Sequence, residues 1–125
     1  MRMMISIVEE VAKLSPMQDT EASELIKLLE DIQELTSQIP LMINKERWIA
    51  MGVHLLAFIR RVQDKERLAA MDLSFMEEGD GRLQQISQKV LDAYGVQNGF
   101  SIEPIEVFLL QVHLETAKAI LEEMN

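Results

Sequence analysis

"NKERWIAMGVHLLAFIRRVQ", residues 44–63, decides how this chain folds. Trp48, Met51, Leu55, Phe58, Ile59 and Val62 recur at steps of three and four, the spacing that lines one face of an α-helix. Asn44 is a fitting cap for that helix, with Glu46 and Arg47 in its first turns. The reading is a helix from about Asn44 to Asp64. His54 falls at the edge of its apolar stripe. Arg47, His54 and Arg61 are spaced seven apart, so they stand nearly in line, with two turns between neighbours. Arg60 points roughly 100° away from that line.

Working outward, helical periodicity recurs and strand signals stay weak. A first helix is expected from about Met4 to Leu14, stopped by Ser15–Pro16. A second opens at Asp19 or Thr20 with acidic residues in its first turn, shows one face through Leu25, Leu28, Leu29, Ile32 and Leu35, and ends at Pro40. After the central helix, "KERLAAMDLSFMEEGDGR" is a connection with one short helical turn. "RLQQISQKVLDAYG", residues 82–95, is a fourth helix closed by Gly95, and "VQNGFS" is a loop. "IEPIEVFLLQVHLETAKAILEEM", residues 102–124, is the last helix, with Ser101 as cap, Glu103 nearby and Pro104 in the first turn. The expectation is an all-α fold, a compact bundle of four to five helices in one domain over residues 1–125.

The last helix carries the second of only two histidines. Val107, Leu110, Leu114, Ala117 and Leu121 form its core stripe, and Glu106 and His113, seven apart, lie at the edge. Leu109, Val112 and Ile120 widen the apolar surface, so this helix is deeply enclosed or meets a second subunit. Nine methionines, among them Met3, Met4, Met42, Met51 and Met76, suit a plastic core or a surface that repacks around a partner.

Composition narrows the chemistry. The chain has 125 residues, 48% of them apolar and 26% charged, an ordinary balance for a soluble domain. It has no cysteine, which removes disulfides, thiol nucleophiles and sulfur-ligated metals, and fits a reducing cytoplasm. No apolar run approaches the ~18 residues of a membrane span. The acidic pair Glu9 and Glu10 interrupts what could otherwise be a signal-peptide core. A net charge of −9 argues against direct nucleic-acid binding. The charge is uneven: residues 41–70, around His54, are the one basic segment, with six basic and three acidic groups. Lys45, Arg47, Lys65 and Arg67 there could meet an anion, or simply solvate a helix. Glycine-rich phosphate loops and nucleophile-elbow motifs are absent, so no enzyme, cofactor or metal site is expected.

To accept a phosphoryl group, an imidazole must be neutral and present one free nitrogen. Flanking arginines disfavour the imidazolium and offer planar donors to phosphate. His54 between Arg47 and Arg61 suits that chemistry better than it suits a metal cation.

"GVHLLAFIRR" and "PIEVFLLQVHLETA" resemble the two histidine segments of the phosphotransferase-system regulation domain, the PRD family. In that family an arginine follows the first histidine by seven positions, matched here by Arg61. An acidic residue precedes the second by seven, matched by Glu106, with aliphatics matched by Leu109, Leu110 and Val112. The two histidines are 59 positions apart, close to the family's separation, and the resemblance spans residues 20–122. An acidic residue commonly precedes the first histidine in the family, where this chain has Val53. The resemblance implies a stand-alone helical regulatory domain, cytoplasmic and homodimeric. His54 and His113 would accept phosphate from phosphotransferase-system phosphocarrier proteins, with Arg47 and Arg61 orienting the phosphate and Glu106 positioning His113. Output would pass to a regulator protein in transcriptional or antitermination control of carbohydrate-related genes. The alternative is a helical protein-binding module whose histidines are structural.

Overall fold

Apolar side chains at helical spacing draw five amphipathic helices around one core in a computed structural model of the chain, which describes residues 2–69 and 79–124. The helices are α1 (Arg2–Leu14), α2 (Asp19–Thr36), α3 (Lys45–Gln63), α4 (Gly81–Asn98) and α5 (Pro104–Met124). There is no strand among the described residues, and the fold is an all-α bundle. The helical turn expected between α3 and α4, and Met76, fall at or within residues 70–78, outside the described residues. No described helix is long and apolar enough to cross a membrane.

The central helix packs against each of the other four. Its stripe of Trp48, Met51, Leu55, Phe58, Ile59 and Val62 is at most 5% exposed at every position. Burying each such side chain contributes about 1.5–3 kcal/mol, so this stripe is the axis of the core. The Phe58 ring tilts against Tyr94 of α4, with centroids 5.5 Å apart. The Tyr94 hydroxyl reaches past the core and donates to Glu24 of α2 at 2.9 Å. Close approach of α1 depends on Gly52, where a Cβ would come within 2.6 Å of Val11 Cγ2. Met4 and Met51 are fully buried, whereas Met3 and Met42 are 41% and 75% exposed.

Helix ends differ from the sequence reading in several places: α2 stops at Thr36, with Ser37 as its cap, before Pro40 is reached, and three other ends differ for a local reason. At the start of α2 the cap is Gln18, not Asp19 or Thr20, and the Glu21 carboxylate accepts from the Gln18 backbone N–H at 2.9 Å. The fourth helix runs on past Gly95. Gly95 is buried inside it, where a Cβ would approach the Phe100 carbonyl oxygen to 2.4 Å. The stop comes one turn later, at Gly99, whose φ of 62° lets the Phe100 N–H bond back to the Gly95 carbonyl at 2.9 Å. At α5 the first helical residue is Pro104, so Ser101 lies too far back to cap it. The lone N–H that proline lacks is one the first turn would leave unpaired anyway.

Asn44 does cap α3, accepting from the Arg47 backbone N–H at 2.8 Å. Its other end has the same bonding as α4. Glu66 N–H bonds to the Arg61 carbonyl at 2.8 Å and Lys65 N–H to the Val62 carbonyl at 3.2 Å. The left-handed residue here is Lys65, at φ 56°. A side chain at that conformation costs about 1 kcal/mol that glycine avoids. Lys65→Gly is therefore expected to raise unfolding stability by about 0.5–1 kcal/mol in denaturant titration, and Gly99→Ala to lower it by about 1 kcal/mol. A destabilised Lys65→Gly protein would contradict the reading of this helix end.

Candidate functional site

Heptad spacing on two helices brings five side chains into one row. Arg47, His54 and Arg61 follow one line along α3, and Glu106 and His113 follow one line along α5. The helices run antiparallel: Arg47, at the start of α3, meets His113 well along α5, while Arg61, near the end of α3, meets Glu106 at the start of α5. Between these contacts the His54 and His113 rings face each other, with centroids 5.3 Å apart and planes inclined by 59°.

At one end of the row, Arg61 grips Glu106 with two parallel bonds, Nε to Oε2 at 2.8 Å and Nη2 to Oε1 at 2.7 Å. The side chains are 18% and 3% exposed, so this is a buried, bidentate ion pair. At the other end, Arg47 Nη1 lies 3.2 Å from His113 Nδ1. Arg47 Nε is buried without a hydrogen-bond partner among the described residues.

Both imidazoles are kept neutral. Burial is the largest effect on His54, followed by the neighbouring His113 and Arg61, and together they bring its pKa down to about 4. Burial, and then the Arg47 charge, lowers His113. Each ring is half-buried, so the pair sits at the rim of the core with an edge open to solvent.

All five residues singled out from the sequence gather here, in an arrangement the sequence did not disclose. Glu106 was expected to position His113. Its hydrogen-bond partner is Arg61, and that of His113 is Arg47, so any influence of Glu106 on His113 runs through the register of the two helices. The Arg61–Glu106 pair was missed because the two residues are 45 positions apart; the matching seven-residue spacings on both helices were the available signal. The rest of the basic segment is partly absorbed by structure. Arg60 bonds Glu21 at 2.9 Å and the Pro16 carbonyl at 2.7 Å, tying α3 to the α1–α2 turn. Arg67 bonds Glu103 and the Ser101 carbonyl, each at 2.7 Å, and stacks over Phe100. Among the described residues no group of acidic, histidine or cysteine side chains could hold a metal ion.

Removing one member of the buried pair leaves the other uncompensated. Glu106→Gln is expected to cost about 2–4 kcal/mol of unfolding stability. Arg61→Met combined with Glu106→Leu should cost less than Glu106→Gln alone, and denaturant titration of the three proteins measures both. Additive, small losses would show that the pair does not hold the two helices in register.

No protein-family model matches the chain, and no curated protein matches it. Among solved structures, the fold is similar to the crystal structure of a PRD-containing transcription regulator from Lactobacillus casei. The two superpose with a TM-score of 0.72 over 95% of each chain, at 18% identity. At that identity the likeness is one of fold.

Proposed function

We propose that this chain is a phosphate-responsive regulatory domain, with His54 and His113 as its phosphate-accepting residues. The observation that carries the reading is the 5.3 Å approach of two imidazoles, both held neutral, in a row that also contains two arginines. A neutral imidazole is the nucleophilic form, and guanidinium groups complement the phosphoryl oxygens. The donors would be phosphocarrier proteins of the phosphotransferase system, in keeping with the sequence resemblance and with the fold shared with a transcription regulator.

A phosphoryl group adds about −1.5 to −2 charges at pH 7. Placed between α3 and α5, it would compete with Glu106 for Arg61 and strain the register of the two helices. A homodimer or a downstream regulator protein contacting this face would read that change, with coupling of about 1–3 kcal/mol. Val112 on α5, 41% exposed, offers apolar surface for such a contact. Output would be control of transcription or antitermination of carbohydrate-related genes, through a protein partner and without catalysis by this chain.

A second reading keeps the fold and makes the histidines structural. Val53, 38% exposed, favours it, because it precedes His54 where the resemblance calls for an acidic residue.

The test is incubation with phosphoenolpyruvate and the general phosphotransferase proteins, followed by intact mass under conditions that preserve phosphohistidine. Uptake of phosphate that is reduced in His54→Ala and in His113→Ala, and abolished in the double variant, is the expected result. Uptake that persists in the double variant would overturn the assignment. No uptake by the native chain, with a large thermal destabilisation in both variants, would establish the structural reading instead.

A further inference from the structure

We infer that Arg47 is a positioning residue that occupies the one lone pair of His113, so that His54 accepts phosphate first and His113 only after Arg47 has moved. The inference rests on the phosphate-accepting role proposed above and assigns an order and a gate within it.

A guanidinium has donors and no acceptor. The contact between Arg47 Nη1 and His113 Nδ1 at 3.2 Å therefore has Arg47 donating and Nδ1 accepting. A nitrogen that accepts carries no proton. A neutral imidazole has one N–H, so in His113 it is on Nε2. His113 is held in the neutral form by burial and by Arg47 itself. In this arrangement one nitrogen has its lone pair engaged and the other has none in the ring plane to offer. His113 is thus next to phosphate chemistry and closed to it.

His54 differs. The described residues supply no hydrogen bond to either of its ring nitrogens, and its neutral form leaves one lone pair free. In the transfer step that lone pair forms the new N–P bond. The P–N bond of the donor breaks, its electron pair returns to the donor nitrogen, and the proton displaced from the His54 ring goes to that leaving nitrogen. Phosphoryl group and proton thus trade places.

The same arginine then has reason to leave His113. A phosphoryl dianion accepts stronger, charge-assisted bonds than a neutral nitrogen does. Arg47 is bonded to His113, whose ring lies 5.3 Å from that of His54, so a phosphoryl group on His54 would stand one ring away from the Arg47 guanidinium. Arg47 has a further donor to give, since Nε is buried and unpartnered. Turning to the phosphate satisfies Nε and releases His113 Nδ1.

Two measurements test this. Long-range 1H–15N spectra of the imidazoles read the His113 tautomer in the native chain without any phosphate. The expected result is a proton on Nε2 with Nδ1 as acceptor, and loss of that fixed pattern in Arg47→Met. A proton on Nδ1 would overturn the inference whatever else is found. The second is uptake from phosphoramidate, a small donor that needs no protein recognition and releases ammonia. His54→Ala should take up phosphate at His113 slowly, and His54→Ala with Arg47→Met roughly tenfold faster. Equal or slower uptake in the double variant, with the native chain still accepting phosphate, would overturn the gate and leave the phosphate reading standing. No uptake by any variant, with the expected tautomer present, would overturn the phosphate reading and the order of acceptance with it.

Discussion

The contact between α3 and α5 is what the rest of the site depends on, and the buried Arg61–Glu106 pair sets it. Two parallel bonds of 2.8 and 2.7 Å leave the helices little freedom to slide. Because Arg61 and His54 are seven residues apart, as are Glu106 and His113, fixing one pair of positions brings the other into apposition. The histidines therefore meet as a consequence of a lock two turns away. A buried ion pair adds little net stability, since desolvation offsets attraction, and its value here lies in register.

That geometry governs the electrostatics. Each imidazole loses water to the core edge, and each has a guanidinium on its side of the row. Every one of these influences opposes the imidazolium, and none favours it. Only one of the two cations is matched: Glu106 neutralises Arg61, whereas Arg47 rests on a neutral nitrogen and keeps Nε without a partner among the described residues. A site so arranged is quiet without a ligand and unbalanced by an anion. On the proposed reading, phosphate acts by rearranging these bonds and not by filling a hollow.

Much of this was legible in the chain. The α3 stripe from Trp48 to Val62, the Asn44 cap and the stop at Ser15–Pro16 all follow from local rules, and each stands in the structure. The placement of His54 and His113 on stripe edges was legible for the same reason, since a helix face is a matter of counting. What escaped were features in which a distant residue decides. Gly95 has the composition of a helix end, yet it is glycine because the Phe100 carbonyl returns onto it. Lys65 holds a left-handed conformation that no propensity assigns to lysine. Glu106 was linked to His113 by position on its own helix, whereas Arg61 on a neighbouring helix was the stronger claimant. Pairing across helices is set by packing, which a single sequence states only indirectly.

The central claim is that the two histidines form one coupled site, and a pH titration of both imidazoles by NMR tests it most directly. The account predicts that His54 stays neutral down to about pH 4, well below its ordinary 6.5, and that His113 also titrates below the ordinary value. It further predicts that His113→Ala moves the His54 transition upward, because one of the groups opposing its charge is gone. Two independent transitions near 6.5, unaffected by loss of the other ring, would contradict it.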